Sequence, residues 1–405
     1  MGSRQFKILI VLLAAAALAA AFFLRPKRYL VDPTHYSLTR LEDPNGIPLC
    51  LKAFNNAGEM IAFREIRTWM LRRMDRVKYG QHHPDSWEAY RIDSRGQIHP
   101  IRLPKDCFVE PRAMNDSGTI VGTFCDPNRV DGARITVSVC DPNRVDAAFC
   151  WDLQWGFRKI PFESPLKCSL SHGEAINNNG WMAGSWFTKS PRSSRIFLYE
   201  PSAGFIDIGT PAGFIQIEDI NEHQIFVGKC ASPSGNFHAF YGSRQEGLVD
   251  IHALATSMTN SSALAISDED WILVQAFDSR NAEVIWYHPQ KGKGPAFSWN
   301  WYLQRVVAIP SSNRFAVVGT PISSPWFDIM ERQYQVRNLI LEPGKKPVLF
   351  DPKPLSGKTW RLLGIDNNGN IYGNVLDRDP SKRELEFFYQ GILLRPIRPE
   401  DAGKK

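Results

Sequence analysis

Six times along the chain a small residue and an apolar residue lead into an Asn/Asp-type turn, then Gly or a polar substitute, then an apolar pair. The copies read AFNNAGEMIA from Ala53, AMNDSGTIVG from Ala113, AINNNGWMAG from Ala175, DINEHQIFVG from Asp219, AISDEDWILV from Ala265 and GIDNNGNIYG from Gly364. A looser seventh, AIPSSNRFAVVG, starts at Ala308. The spacings are 60, 62, 44, 46, 43 and 56 residues. One supersecondary block stacked many times is the only economical source of such a pattern, because each block buries its apolar faces on its neighbours. The second long spacing has a local cause. CDPNRVD occurs at Cys125–Asp131 and again at Cys140–Asp146, and removing one 15-residue copy brings 62 down to 47. Loops accept such insertions at small entropic cost.

Each unit repeats the same order of signals. A strand ends in the Ala/Asp-Ile-Asn element and a turn follows. In that turn Asn55, Asn115, Asn177, Asn221 and Asp366 are placed to bond their own backbone, and Gly58, Gly118, Gly180 and Gly369 to supply positive φ. A second short strand comes next (TIVG, WMAG, IFVG, NIYG), then a third with an aromatic centre (WEAYRI, AAFCWD, RIFLYE, HAFYGS, VIWYHP, NLILEP, EFFYQG). A fourth closes the unit: QIHPIRL, GFRKIPF, GFIDIG, GLVDIHAL, GPAFSW, KPVLFD, ILLRPI. Four antiparallel strands in about 45 residues match one blade of a β-propeller. Seven units predict an all-β, seven-bladed propeller of four-stranded antiparallel blades over residues 35–398, preceded by one apolar helix. YSLTRL at Tyr36–Leu41 reads as an extra fourth-type strand that pairs with the last blade and hides a sheet edge. The alternative, an open β-solenoid, needs polar caps at both ends.

Glu174–Gly184 (EAINNNGWMAG), Arg112–Gly122 (RAMNDSGTIVG) and Phe237–Tyr241 (FHAFY) resemble the Ala-Ile-Asn-x-x-Gly-x-Val-Val-Gly core and His-Ala-Phe strand of the bacterial HAF-repeat, or extracellular repeat, proteins. The resemblance spans about residues 36–397 and is weakest in units five and six, where Gly is lost or the turn rebuilt. It implies export and a repeat fold. It implies no activity and no catalytic residue.

Charge points to where the chain works. Five of its 48 basic residues fall in residues 1–28, which hold no acid, so the rest carries 43 basic against 42 acidic residues. Nucleic-acid binders concentrate positive charge on the folded domain, and this one does not. Ile8–Leu24 is uncharged for 17 residues and is flanked by Arg4 and Lys7 before and Arg25, Lys27 and Arg28 after. That is just long enough to span a bilayer, so residues 1–28 are expected to be a signal-anchor and 29–34 a linker, with 399–405 a polar tail. The expected location is single-pass in a bacterial cytoplasmic membrane, propeller on the outer side; the alternative is secretion after signal cleavage.

Motifs for chemistry are sparse. Seven cysteines form no CxxC pair, Asp366–Asn370 departs from a calcium loop at Ile371 and Asp377, and Ser356–Thr359 lacks the first glycine of a phosphate loop. No cofactor or metal is expected, and His82-His83 reads as a solvated loop. Arg64–Lys78 is the one charge cluster of the body. Within it Arg64, Arg67, Trp69, Arg72, Arg73, Arg76 and Lys78 form a basic amphipathic segment suited to an anionic membrane surface, or else an insertion on the rim. Trp87, Trp151, Trp181 and Trp286 are expected within strands, while Trp155, Trp186, Trp299, Trp301 and Trp326 lie nearer loops. The leading expectation is therefore a non-enzymatic, membrane-tethered module that binds a protein or glycan. The rivals are a hydrolase or lyase with a site at the channel mouth, marked by paired carboxyls or a His, and a lectin, marked by two or more exposed Trp on one face.

Overall fold

The computed structural model describes residues 36–64, 89–101, 108–125, 146–160, 168–189, 192–210, 213–278, 281–298, 301–309, 312, 314–321, 337–350, 352–355, 358–378 and 387–397. The apolar run Ile8–Leu24 lies outside them. Among the described residues no helix is long and apolar enough to cross a membrane.

The described strands form seven four-stranded antiparallel sheets, a seven-bladed propeller. The first strand, β1 (Tyr36–Arg40), precedes blade I, which is β2 (Leu49–Phe54), β3 (Met60–Arg64), β4 (Ala89–Ile92) and β5 (Ile98–Pro100). Blade II is β6 (Phe108–Met114), β7 (Ile120–Cys125), β8 (Asp146–Asp152) and β9 (Gly156–Lys159). Blade III is β10 (Cys168–Ile176), β11 (Met182–Lys189), β12 (Arg192–Glu200) and β13 (Gly204–Gly209). Blade IV is β14 (Ile215–Ile220), β15 (Phe226–Ala231), β16 (Phe237–Ser243) and β17 (Gly247–Asp250), followed by the single helical turn α1 (His252–Ala255). Blade V is β18 (Asn260–Ile266), β19 (Ile272–Phe277), β20 (Ala282–His288) and β21 (Gly292–Ser298). Blade VI is β22 (Trp301–Ile309), β23 (Arg314–Pro321), β24 (Arg337–Leu341) and β25 (Val348–Leu349). Blade VII is β26 (Trp360–Ile365), β27 (Ile371–Arg378) and β28 (Phe387–Pro396), completed by β1.

That last pairing closes the ring. Tyr36 to Arg40 runs antiparallel to Pro396 to Ile392, so the two ends of the repeat share one sheet and β1 covers the edge of β28. The expected separate fourth strand ILLRPI does not form, because β28 continues unbroken through EFFYQG and ILLRPI. Blade VII needs only three strands of its own once β1 supplies the fourth. GLVDIHAL also stops short as a strand: after Asp250 the chain turns into α1, whose Ala255 is buried against blades IV and V.

The core is not one mass. Among the described residues the buried apolar side chains form seven clusters, one at each blade-to-blade interface. A blade has two apolar faces and no thickness of its own, so it is stable only between two others. The aromatic third strands and their neighbours fill these interfaces: Phe149, Phe197, Phe240 and Trp286 are all but fully buried. Trp186, expected near a loop, is instead wholly buried in β11 with the Arg195 guanidinium over its ring. Trp87, Trp299 and Trp326 lie outside the described residues.

The repeated Asn has two jobs. Its Oδ1 accepts the backbone N–H four residues on, at 2.9 Å for Asn55, Asn115 and Asn177 and 3.0 Å for Asn221. Its Nδ2 donates to the backbone carbonyl of the equivalent residue in the next blade: Asn55 to Asn115 (2.9 Å), Asn115 to Asn177 (3.1 Å), Asn177 to Asn221 (2.8 Å) and Asn221 to Ser267 (3.1 Å). A second belt runs beside it. Asn56 N–H donates to Asp116, Asp116 N–H to Asn178 and Asn178 N–H to Glu222, at 2.7, 2.8 and 3.0 Å. Asp366 keeps the turn but has no amide to donate; it accepts from Asn368 N, Asn370 N and Tyr372 Oη instead. Gly58, Gly118, Gly180 and Gly369 take φ of +81°, +79°, +84° and +76°. Where Gly is missing the turn survives on non-glycine residues, Gln224 at φ 63° and Asp270 at φ 62°.

Blade VI departs most. Its hairpin pairs Ile309 with Arg314 and reaches the second-strand glycine only at Gly319, opposite Leu303. In blade III the equivalent pair, Gly173 with Gly184, lies much nearer the turn. The copy taken to start at Ala308 is thus the tip of a longer hairpin, and Arg305 is the residue that matches the small first residue of the other copies.

Candidate functional site

In every blade the first strand lies innermost, and from blade I to blade VII successive first strands contact one another. Each of them carries a β-bulge. The register skips one residue between Leu51 and Ala53, Pro111 and Ala113, Gly173 and Ala175, Ile217 and Asp219, Ala263 and Ala265, Leu303 and Arg305, and Leu362 and Gly364. The extra residues are Lys52, Arg112, Glu174, Glu218, Leu264, Gln304 and Leu363. A bulge twists its strand and re-aims one side chain, so seven at one level make a ring around the channel. Glycines make room for it. A Cβ at Gly228 would lie 2.1 Å from the Gln216 carbonyl oxygen, and one at Gly184 2.2 Å from that of His172.

Around the ring the charges are segregated. Lys52 and Arg112 are neighbours on blades I and II, Glu174 and Glu218 on blades III and IV, and Leu264 and Leu363 lie on the other side. Glu110, two residues before Arg112, is 3.6 Å from Lys52 Nζ and 3.2 Å from Arg112. Lys229 Nζ is 3.7 Å from Glu218. Arg305 extends from blade VI past blade VII, where the matching residue is Gly364, and donates to the Lys52 carbonyl at 3.4 Å. Glu174 Oε2 accepts from Ile217 N of the next blade at 3.2 Å. Asp219 does the same one blade on, accepting from Ile266 N at 3.1 Å.

Burial pushes Glu174 up to about 8, against a partial pull downward from the Ile217 N–H and Arg112, with Glu218 adding to the rise. Burial raises Glu218 too, opposed by Lys229, Arg112 and Arg305, and raises Asp219 to about 7. It lowers Lys52, with Glu110 opposing and Arg112 and Arg305 assisting, and brings Arg305 down to about 10. Side chains from five blades therefore act on one another across the axis. Among the described residues no cluster of His, Cys, Asp and Glu has the make-up of a metal site.

None of these axial groups was singled out from sequence. The signal was present, since a charged residue stands just before the small residue in four copies: Lys52, Arg112, Glu174 and Glu218. What sequence could not supply was the bulge that turns this position to the axis. The residues named as turn formers, Asn55, Asn115, Asn177, Asn221 and Asp366 with their glycines, form the turns after the first strands instead, and the four Asn carry the hydrogen-bonded belt between blades. Of the basic segment, Arg64 ends β3; Arg67, Trp69, Arg72, Arg73, Arg76 and Lys78 lie outside the described residues. Trp155 is the exposed tryptophan among the described residues, at 64%.

No protein-family model matches the chain, and no curated protein matches it. Solved structures do. A prolyl endopeptidase is similar at 9% identity and a TM-score of 0.47, over 86% of this chain and 48% of that one, so the chain spans about half its length. The β-propeller domain of the trilobed protease from Pyrococcus furiosus, described as having an open velcro topology, is similar at 10% identity and a TM-score of 0.45, over 67% of this chain and 80% of that one. TolB from Acinetobacter baumannii is similar at 13% identity and a TM-score of 0.36, over 75% and 83%. The seven four-stranded antiparallel sheets make the chain a seven-bladed β-propeller on its own topology.

Proposed function

We propose that this protein is a HAF-repeat binding module that takes its ligand in the axial channel, and that residues 1–28 hold it on the outer side of a bacterial cytoplasmic membrane. The observation that carries the reading is the bulge ring: the first strand of every blade carries a bulge at the same level, and four of these bulges place a charge there. Structure alone does not require this. The belts at Asn55–Asn221 already tie blades I to V together, and the ring adds the Glu174–Ile217 N bond and the Lys52–Glu110 pair, contacts a ligand could share or replace. The apolar run and its basic flanks support the tether. A membrane role for the basic segment Arg64–Lys78 would accord with that tether.

The full chain in detergent is the material for the test. Its melting temperature is screened against small acids, sugars and peptides, in wild type and in the double variant Arg112→Gln, Glu218→Gln. Ligands that stabilise the wild type and lose their effect in the variant support the channel. Ligands that stabilise both equally place binding elsewhere and end the reading. A second reading, a hydrolase or lyase, draws on one observation, the acid-form Glu174 beside Glu218, and predicts turnover that Glu174→Gln abolishes. The lectin reading asks for two exposed Trp on one face, and among the described residues only Trp155 is exposed.

A further inference from the structure

The bulge ring is not electrically balanced. Lys52, Arg112, Arg305 and Lys229 face Glu110, Glu174 and Glu218, and Glu110 is shared between Lys52 and Arg112. Burial favours the acid form of Glu174 at neutral pH, outweighing the Ile217 N–H, the Arg112 charge and the Ser185 hydrogen bond that favour its ionised form. Four cations then face two carboxylates, Glu110 and Glu218. One of the four is Arg112, whose side chain is 45% exposed and carries the planar fork that matches a carboxylate. Ser185 Oγ is buried beside Glu174 and acts on its carboxyl. A site with surplus cations and a neutral carboxyl lacks an anion with two oxygens.

We propose that the bulge ring binds the carboxylate group of a small organic acid. Lys52, Arg112 and Arg305 supply the positive charge, and the Glu174 carboxyl, in its acid form, donates a hydrogen bond to the bound anion. The proposal rests on the reading of the channel as the ligand site and names what enters it. Binding is linked to the proton on Glu174. The groups that face this carboxyl are Ile217 N and Glu218 from β14, Arg112 from β6 and Ser185 from β11, with Lys229 on β15 behind Glu218. Once Glu174 ionises, its charge repels the ligand and its donor is lost. With the group poised at about 8, the acid form falls from ~0.9 to ~0.1 between pH 7 and 9, so affinity drops roughly tenfold.

Calorimetry on the full chain in detergent tests this with lactate and glucuronate as acids, glucose and glucosamine as neutral and cationic controls, and sulfate as a tetrahedral anion. Binding of either acid, at least tenfold weaker in Arg112→Gln, with a tenfold loss from pH 7 to 9 that vanishes in Glu174→Gln, supports the proposal. Which acid binds tells a simple acid from a sugar acid. Lys52→Met serves in place of Arg112→Gln should that variant not fold. Glucose or glucosamine binding that depends on Arg112 overturns the carboxylate and leaves the channel as a site, and sulfate binding as tightly as lactate does the same. Acid binding that ignores both variants overturns the proposal and the channel together, and so does no binding of any probe by a folded protein whose screening ligands also ignore the channel variant.

Discussion

Replacing Asn177 by Asp separates the two roles of the repeated Asn. The substitution keeps size and shape, and keeps the oxygen that accepts Trp181 N at 2.9 Å, as Asp366 does naturally for Asn370 N. It removes only the amide that donates to the Asn221 carbonyl at 2.8 Å in the neighbouring blade. Asn177 is 3% exposed, so that carbonyl gains no water in exchange. An unsatisfied buried acceptor costs about 1–3 kcal/mol. The new carboxyl adds a pH-dependent cost, because burial beside a carbonyl raises its folded pKa above its unfolded value of about 4. The sign follows from that. Below pH 4 the group is protonated in both states and its O–H replaces the lost donor; as pH rises toward the folded pKa, folding must hold a proton the unfolded chain releases, at about 1.4 kcal/mol per unit of difference. Urea unfolding followed by Trp fluorescence should show Asn177→Asp destabilised by about 1 kcal/mol at pH 5 and about 3 kcal/mol at pH 8. Asn177→Ala, which also orphans Trp181 N, should cost about 3–5 kcal/mol at both pH values. An Asp variant as stable as wild type at pH 8, or equally destabilised at both pH values, refutes the inter-blade role.

Three further outcomes follow from the geometry. Gln224→Gly should stabilise by about 1 kcal/mol in thermal unfolding, since Gln224 sits at φ 63° where a side chain is strained; no gain means the side chain returns that energy elsewhere. Gly228→Ala should destabilise by about 2 kcal/mol or more, because its Cβ would lie 2.1 Å from the Gln216 carbonyl oxygen across the bulge; a melt unchanged from wild type would mean the bulge is not fixed. Leu38→Pro on β1, which pairs with Leu394, should open the seam and expose the edge of β28, read as aggregation by light scattering; a monomer of unchanged stability would show that the ring does not depend on its closing strand.

How much of this was legible in the chain differs from element to element. The Asn-x-x-Gly turns, the aromatic third strands and YSLTRL were readable because each is set by neighbours a few residues away: a side chain closing its own turn, a glycine at positive φ, alternation along a strand. Seven such units already imply seven blades, since one blade alone leaves both its faces wet. The end of the chain was misread, as EFFYQG and ILLRPI carry no turn between them, and only the arrival of β1 from the other terminus makes a fourth strand there unnecessary. Blade VI was misaligned because its register is decided by Gly319 opposite Leu303, a pairing and not a local motif. The axial site was invisible for the same kind of reason. Lys52, Arg112, Glu174 and Glu218 are adjacent around the channel yet stand 44 to 62 residues apart in the chain. Nothing local says that each sits on a bulge. Local sequence determined the blade; the closing of blades into a ring, which sums many weak interfaces, determined which distant charges meet around the axis.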